Sequence, residues 1–281
     1  MPERINHFQI APDLAPADLL ALEETLLLAL NEPAGRIAPD AGGFLFFHPT
    51  PAPAVVLGTG QKHAEVLDRA ACERDGVPIL RRASGGGCVM HLPGVLWFSL
   101  GVPFTWLPQG AQGGIRATFA DVLEPVCATL REDWHLAASL RGICDIALAD
   151  AVPPRKVAGS AQCRKQRAVL VHGTLLLAAD LAPLERYLPL PEKQPDYRAQ
   201  RTHRDFLTTL REHAPTLDGS ALCGALAEKW RHMLAPQVAQ TTGGHSAADG
   251  PPAGGANPGD GSAAAGLGLE IREVAVPADL A

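Results

Sequence analysis

Residues 81–91 read RRASGGGCVMH and bring two arginines, a serine, three consecutive glycines and a histidine close together. Inside a helix or strand, each glycine is less stable than alanine by roughly 0.5–1 kcal/mol, which indicates that this stretch needs a bare backbone. The preceding VPILRR reads as a strand that runs into the glycines, and such a turn presents backbone N–H groups that can converge on an anion. The stretch therefore predicts an anion-binding loop at the end of a strand.

Polar side chains in the same stretch point to the same chemistry. A guanidinium suits phosphate or carboxylate because it can donate two parallel hydrogen bonds, and the serine adds a hydroxyl. The stretch is neither a P-loop, which needs GK[ST], nor the dinucleotide motif GxGxxG, and taken alone it is equally compatible with a surface loop. The candidate anion-binding residues are Arg81, Arg82, Ser84, Gly85, Gly86, Gly87 and His91.

A second stretch, residues 155–177, reads RKVAGSAQCRKQRAVLVHGTLLL. Lys156 precedes small residues, among them Gly159 and Ser160, that let a ligand lie against the backbone. A lysine there can neutralise a carboxylate, an acyl phosphate or a developing oxyanion as a compact charge. Further along, polar or small residues interrupt a strongly apolar strand, which is unfavourable unless a ligand or a hydrogen-bond network uses them. These residues are His172, Gly173 and Thr174.

Composition limits the class of protein. The 281 residues are 47% hydrophobic, enough for one sizeable core, and the formal net charge of −6 argues against a nucleic-acid partner. Six cysteines without CxxC spacing indicate neither a zinc site nor a disulfide framework. No apolar run is long enough for a membrane span, and no secretory signal is visible. We expect a reduced, cytoplasmic protein without a membrane partner, and a monomer, since no apolar stripe is left over.

The order of elements favours an α+β fold. PADLLALEETLLLALN at 16–31 reads as an amphipathic helix with proline in its first turn. GGFLFFHP, PAVVLGTGQ, VPILRR, VLWFSLGVPF, RKVAGSAQ and AVLVHGTLLLA read as strands, and 111–138 reads as a helix broken at Pro125. This order predicts a mixed β-sheet flanked by helices. Residues 238–266, rich in Gly, Ala and Pro, read as a flexible segment, and 267–281 as a tail that can return as an edge strand.

RRASGGGCVMH, KVAGSAQ and HGTLLL, in this order, resemble the catalytic domain shared by lipoate–protein ligases and octanoyltransferases, which is related more distantly to that of biotin–protein ligases. LLALEETLL near the start and AVVLGTGQ at 54–61 add to the resemblance. It implies an α+β catalytic domain over residues 1–237, whose mixed sheet forms a pocket for a medium-chain acyl group. In the ligases, lipoate or octanoate reacts with ATP and Mg²⁺ to give an acyl-adenylate, and the acyl group passes to a lysine of a lipoyl-acceptor protein.

The resemblance also implies roles for individual residues. Lys156 would contact the activated carbonyl, and Asp145 would orient this lysine or help to bind the metal ion. The bare glycine backbone would let an acyl phosphate approach the amides, and one crevice would hold both reactants. The residues implied to bind the acyl group and the adenylate, or to form the pocket wall, are Arg81, Arg82, Ser84, Gly85, Gly86, Gly87, His91, Gly159, Ser160, His172, Gly173 and Thr174.

The chain departs from the ligase pattern in ways that leave three functions open. HLPGV follows the glycines where such ligases read HDxGN, and Val171 replaces the first of two histidines before GT. One octanoyltransferase class has a cysteine nucleophile in the region of Cys144, so the alternative is an ATP-independent octanoyl or lipoyl transferase that forms a thioester at Cys144. A third alternative is a non-catalytic acyl-binding subunit.

The expected partners follow from these alternatives. A lipoyl-acceptor protein is the substrate in both catalytic schemes, and acyl carrier protein is a donor for the transferase. Residues 238–281 are too poor in hydrophobic groups to fold as the accessory domain that many ligases carry, which predicts that transfer to the acceptor either needs a separate accessory subunit or is absent. Arg164, Lys165 and Arg167 form a basic cluster suited to an acidic acceptor domain.

Overall fold

The computed structural model describes residues 5–8, 10–32, 42–62, 66–149 and 152–243. These residues form a seven-stranded sheet and a separate three-stranded sheet, with helices packed against them, which confirms the predicted α+β fold. The strands are β1 Asn6–His7, β2 Phe44–Pro49, β3 Ala54–Leu57, β4 Ile79–Arg81, β5 Val89–His91, β6 Val95–Pro103, β7 Ala138–Arg141, β8 Asp145–Leu148, β9 Arg155–Arg164 and β10 Ala168–Leu176. The α-helices are α1 Pro16–Asn31, α2 Arg69–Asp75, α3 Gly114–Trp134, α4 Leu184–Tyr187, α5 His203–Phe206, α6 Leu210–His213 and α7 Gly219–Gly243.

The two sheets are both mixed. The large sheet has the order β1-β2-β6-β10-β9-β8-β7, in which β1 and β2 are parallel and the other neighbouring pairs are antiparallel. The small sheet has the order β4-β3-β5, with β3 parallel to β4 and antiparallel to β5. The strands β9 and β10, which carry the second group of predicted site residues, therefore lie side by side in the interior of the large sheet.

Alternation along the strands gives the large sheet two different faces. One face packs against α3 and α7, through residues such as Phe98 of β6 and Val171 of β10. We call the apolar cluster between this face and the two helices the main core. On the opposite face, Leu170 of β10 packs with α1, and Leu176 of β10 packs with the small sheet. Between these two apolar clusters lie the polar residues His172 and Thr174, at the even positions of the same strand. We call this opposite side of the large sheet, which carries His172, the site face.

Local sequence signals begin and end the helices. α1 starts with Pro16 in its first turn, as the sequence predicts. α2 starts after Asp68, whose carboxylate accepts a hydrogen bond from the Ala71 N–H at 2.9 Å. It ends at Gly76, which has a φ of 67° in the left-handed region that favours glycine.

Two predictions, the helix break at Pro125 and the domain boundary at residue 237, differ from the structure. The predicted break at Pro125 is wrong, because α3 runs through this proline from Gly114 to Trp134. Buried residues on both sides of the proline, such as Val122 and Val126, hold the helix against the main core, and this packing outweighs the local preference. At the other end of the chain, α7 continues to Gly243, past the predicted boundary at residue 237. The tail at 267–281 lies outside the described residues, and its edge strand stays a prediction.

Candidate functional site

An irregularity between β8 and β9 decides where Lys156 lies. The register shifts by one residue between Ala158 and Lys156, which leaves Val157 unpaired. Val157 and Ala158 are both buried in the main core. In a regular strand residues 156 and 159 would be on opposite faces, but the extra residue places Lys156 on the same face as Gly159. The bulge therefore turns the lysine away from the main core, towards the site face.

Lys156 is held by a short chain of polar contacts. Its Nζ lies 2.7 Å from Oδ1 of Asp145, and the two side chains are only 22% and 12% exposed. The hydroxyl of Tyr197 donates to the other carboxylate oxygen, Oδ2, at 2.9 Å. A Cβ atom added to Gly159 would lie 2.7 Å from the lysine Nζ, so the ammonium group rests directly on the glycine backbone. The absence of a side chain at position 159 is thus a requirement of this arrangement.

A buried hydrogen-bond network joins the glycine stretch to β10. Ser84 Oγ lies 2.6 Å from His172 Nε2, and His172 Nδ1 lies 2.7 Å from Oε2 of Glu23 in α1. The Nε of Arg82 donates to Ser84 Oγ at 2.8 Å. A proton on His172 Nδ1 donates to the Glu23 carboxylate, which can only accept. Ser84, His172 and Glu23 are 1%, 4% and 2% exposed, and the network fixes their orientation.

Arg82 lies beneath the glycine loop, which we define as residues 84–88. Its Nη2 donates to the carbonyls of Gly85 and Gly87 at 2.7 and 2.8 Å, and burial lowers the pKa of this arginine. The C=O and N–H of a trans peptide point in opposite directions, so the N–H groups of Gly86 and Cys88 point away from Arg82. A Cβ atom on Gly85 or Gly87 would meet no described atom within 4 Å. The loop therefore has an open outer side with amides directed towards it.

Arg81 has a different task from the one the sequence suggests. Its guanidinium donates to the carbonyls of Gly58, Thr59 and Gln61 at 2.7, 3.1 and 2.8 Å, and so fixes the loop that follows β3. Gly58 in turn touches the glycine loop, because a Cβ atom there would lie 2.2 Å from the carbonyl oxygen of Gly86. Arg81 and Arg82 thus shape the loops with these contacts.

Strand pairing places the lysine and the glycine loop on one face. Gly159, on which the lysine rests, pairs with Thr174, and Thr174 is two residues along β10 from His172, the partner of Ser84. Neighbouring strands are about 4.8 Å apart and two residues along a strand span about 7 Å, so the backbones of Gly159 and His172 lie diagonally about 8 Å apart. The site face therefore carries both the Lys156 ammonium and, next to His172, the serine at the base of the glycine loop.

Other predicted residues lie away from this space. A Cβ atom on Gly173 would meet Ser160 Oγ at 2.6 Å and Phe98 Cε1 at 2.8 Å, which shows that Gly173 and Ser160 face the main core. The buried Ser160 hydroxyl has no hydrogen-bond partner among the described residues. His91 is 2% exposed and packs against Trp97, with ring centroids 4.3 Å apart and the ring planes inclined at 46°. Burial, together with the nearby His172 and Arg82, lowers the pKa of His91 to about 3, so this ring is neutral.

Cys144 immediately precedes Asp145 but has the surroundings of a packing residue. It is half-buried and contacts the main core. Burial and the neighbouring Asp145 carboxylate raise the pKa of its thiol, although Lys156 opposes this shift. A thiol in its protonated form is a weak nucleophile.

Two members of the site, Glu23 and Tyr197, are not among the residues predicted from the sequence. Glu23 had a detectable signal, because it falls on the same helical face as Leu19 and Leu27, where a lone carboxylate needs polar partners. Tyr197 lies in a polar stretch without periodicity, and only the folded chain brings it to Asp145.

The residues around Lys156 do not form a metal site of their own. Within the described ranges, no group of three or more His, Cys, Asp or Glu side chains could hold a metal ion. Asp145 is the carboxylate nearest to the lysine, and both of its oxygens already accept hydrogen bonds, from Lys156 and Tyr197. In the part of the chain that the structure describes, no helix has the length and apolar character of a membrane span.

Comparisons with known proteins place these features in context. Residues 15–231 match the family described as the lipoyl protein ligase A/B catalytic domain. The structure resembles a bipartite lipoate protein ligase of Thermoplasma acidophilum with a TM-score of 0.66 at 22% identity, over 83% of this chain and 84% of that chain. A lipoate protein ligase of the same organism with bound lipoic acid gives 0.64 at 21%, over 83% and 86%. A lipoate-protein ligase A bound with ATP gives 0.65 at 21%, over 82% and 85%. At these identities the likeness shows a shared fold.

Proposed function

The chain belongs to the lipoyl protein ligase A/B catalytic domain family, and on this basis we propose that it is an ATP-dependent lipoate–protein ligase. The carboxylate of lipoate or octanoate attacks the α-phosphorus of ATP, and pyrophosphate leaves. The amine of a lysine on a lipoyl-acceptor protein then attacks the acyl carbon of the adenylate. AMP leaves with the C–O bond electrons, and the amine loses a proton as the amide forms.

One observation supports this proposal: the Lys156 ammonium and Ser84, at the base of the glycine loop, lie over nearby positions of the site face. Amides of the loop would hold phosphate oxygens, as backbone N–H groups at glycine turns do. Lys156 would donate to the acyl oxygen and stabilise the charge that develops there as the carbonyl is attacked. Gly159 lets the ammonium approach the backbone closely, which leaves room above it for the reacting group.

The network behind the loop supports a preorganised site. Glu23 fixes His172, His172 fixes Ser84, and Arg82 holds two carbonyls of the loop. Because the protein's own groups make these contacts, the loop amides need little reorganisation during the reaction.

The surroundings of Cys144 favour the ligase over the transferase alternative. A thioester mechanism needs an accessible thiolate, whereas this thiol is packed against the main core and its pKa is raised. The acyl-binding subunit without turnover is less consistent with a lysine that is held by Asp145, whose carboxylate is held in turn by Tyr197.

Magnesium is proposed only as the companion of ATP. The carboxylate beside Lys156 has both oxygens bound, so the residues present do not fit a protein-held magnesium ion. Mg²⁺ commonly keeps most of its ligands from water and substrate phosphates. A lipoyl-acceptor domain is the proposed partner, and a separate accessory subunit is a further one, since one structural relative is described as bipartite.

Turnover by matched variants tests the function. The chain is incubated with lipoate or octanoate, ATP, Mg²⁺ and a lipoyl-acceptor domain, while pyrophosphate release and the mass of the acceptor are followed. We expect Lys156→Ala to lower the rate at least about 100-fold, because it removes a charge that stabilises the transition state. Cys144→Ala is expected to keep most of the activity.

Two results would contradict the ligase. If Cys144→Ala is inactive while acyl transfer from a thioester proceeds without ATP, the chain is a transferase. If neither ATP nor an acyl thioester supports modification of any acceptor, although the acyl group binds, the chain is a binding subunit.

A further inference from the structure

A lysine that stabilises a carbonyl oxygen must be held at one point, and here two residues hold it in series. Lys156 is bound by Asp145, and Asp145 is bound by Tyr197. We propose that Tyr197 is a positioning residue for Lys156 that acts through Asp145. This inference rests on the proposed ligase function and adds a residue from outside the glycine loop and the β-sheet.

The geometry of Asp145 makes the third residue necessary. Asp145 is only 8% exposed, so each oxygen of its carboxylate needs a partner within the protein. Oδ1 is 2.7 Å from Lys156 Nζ, and Oδ2 accepts from the Tyr197 hydroxyl at 2.9 Å. Without this hydroxyl, Oδ2 is a buried acceptor without its donor, and the carboxylate is free to rotate towards Lys156 or towards water.

Tyr197 is itself firmly placed. It lies at the start of a segment that we call the strap, residues 196–208, which packs along the beginning of β9. The Nη2 of Arg201 donates to the carbonyls of Tyr197 and Pro154, both at 2.8 Å. Later in the strap, the N–H of Thr208 donates to the Lys156 carbonyl at 3.0 Å. The strap is therefore attached to the chain on both sides of the Lys156 side chain.

The ring of Tyr197 is held independently of its hydroxyl. It packs against Phe206, also in the strap, with ring centroids 5.1 Å apart. Removal of the hydroxyl alone therefore leaves this packing in place, which makes Tyr197→Phe a conservative test.

Electrostatics keeps the hydroxyl in its donor form. Burial raises the pKa of Tyr197, and the adjacent Asp145 carboxylate raises it further. Cys144 acts in the same direction, while the cation of Arg201 opposes the shift. Tyr197 thus donates to Asp145 throughout the neutral pH range.

For the reaction, the arrangement divides the hydrogen-bond donors of Lys156 between Asp145 and the substrate. An ammonium has three N–H donors, and one is directed to Asp145. As long as Tyr197 satisfies Oδ2, the carboxylate takes one donor from Lys156, and the remaining donors are available for an acyl oxygen. If both oxygens of the Asp145 carboxylate turned towards Lys156, they would draw the ammonium away from the acyl oxygen.

Steady-state kinetics of Tyr197→Phe test this role. We expect kcat for acylation of the acceptor domain to fall by about 10–100-fold, because a misplacement of about 1 Å has effects of this size. The KM for ATP is expected to change by less than about threefold, since the lost contact acts mainly in the transition state. The matched control is Tyr187→Phe, because the chain has two tyrosines and the Tyr187 hydroxyl donates at 3.0 Å to Asp75, on α2. The control should keep the parental kcat.

A double-mutant comparison separates positioning from a general structural effect. If Tyr197 acts through Asp145, Tyr197→Phe should have no further effect on kcat in an Asp145→Asn background. A parental kcat in Tyr197→Phe, a change in KM alone, or an undiminished effect in the Asp145→Asn background would overturn the proposal.

An absorbance spectrum distinguishes failure of this contact from failure of the ligase function. In Tyr187→Phe, Tyr197 is the remaining tyrosine, so the ultraviolet difference spectrum at neutral pH between this variant and the same variant with Asp145→Asn reports on the Tyr197 hydroxyl. A phenol that donates to a carboxylate absorbs at longer wavelength than one that donates to a neutral amide, so Asp145→Asn should shift the tyrosine band to shorter wavelength. If the parent chain shows no turnover, the proposed function fails and this spectrum decides the contact. An unchanged tyrosine band would overturn the positioning role whatever the kinetics.

Discussion

Glu23 illustrates how one buried residue can determine the orientation of several others. Its Oε1 accepts hydrogen bonds from Trp97 Nε1 at 2.8 Å and from the Ser99 hydroxyl, while Oε2 faces His172 Nδ1 at 2.7 Å. A carboxylate in the interior is tolerated only with such partners. Because the chain of contacts continues to Ser84, a side chain on α1 sets the hydroxyl at the base of the glycine loop.

Glu23→Gln should destabilise the protein by about 1–3 kcal/mol, because an amide N–H₂ would then face groups that are themselves donors. The control is Glu24→Gln, which changes the neighbouring, exposed residue of the same helix and should have little effect. Urea denaturation of both variants measures the free energy of unfolding. Equal unfolding midpoints would mean that the network has no role in stability.

At the scale of elements, the glycine loop combines a fixed inner side with an open outer side. Arg82 holds the carbonyls of Gly85 and Gly87 from within, and Gly86 has a φ of 94°, in the region that favours glycine. These contacts hold the loop in place through its inner side. Its outer side is free to contact a ligand.

Gly85→Ala should therefore separate binding from folding. The added methyl group meets no described atom within 4 Å, and the φ of this residue is outside the left-handed region, so the free energy of unfolding should change by less than about 0.5 kcal/mol. We expect the KM for ATP to rise at least about fivefold, because the methyl group enters the space assigned to phosphate. Gly60→Ala, also in open space, is the control. An unchanged KM for ATP would place the phosphates elsewhere.

The elements also show how far sequence reasoning extends. β10 was predictable, because an apolar run with β-branched residues indicates a strand and His172 within it indicates a polar partner. The placement of Lys156 was not, because it depends on the unpaired Val157, and a bulge leaves no periodic signal in so short a stretch. Arg82 was expected to meet an anion but donates to the protein's own carbonyls, a difference that composition and motif cannot reveal.

At the scale of the whole molecule, several histidines are held in the neutral form by the fold. Burial lowers the pKa of His48 and His203, and lowers those of His7 and His91 to about 4 and about 3. These residues lie in different parts of the chain, so their protonation would destabilise the whole fold and not a single element.

Stability should consequently decrease in mild acid. The unfolded chain binds protons at these histidines near their ordinary pKa of about 6.5, whereas the folded chain binds them only at lower pH. The stability that neutral His91 contributes is thus fully present above about pH 6.5 and is lost as the pH falls towards 3. For each histidine, the free energy of unfolding changes by at most about 1.4 kcal/mol per pH unit. Urea denaturation at several pH values between 7 and 4 measures this pH dependence of the free energy of unfolding.

His91→Phe, which keeps an aromatic ring beside Trp97, should reduce this pH dependence. His232→Gln, at an exposed position of α7, provides the comparison for a histidine outside the interior. A stability that is independent of pH over this interval would contradict the assignment of neutral buried rings.

Val157 lies in the main core, and its unpaired position lets Lys156 and Gly159, three residues apart, share one face. The same sequence paired with β8 without the bulge would still contain the arginine pair, the triple glycine, the lysine and the histidine. With ordinary alternation, however, its lysine would be directed into the hydrophobic interior. An inventory of motifs would count such a chain as intact, so the register between β8 and β9 is as informative as the identity of Asp145 or Lys156.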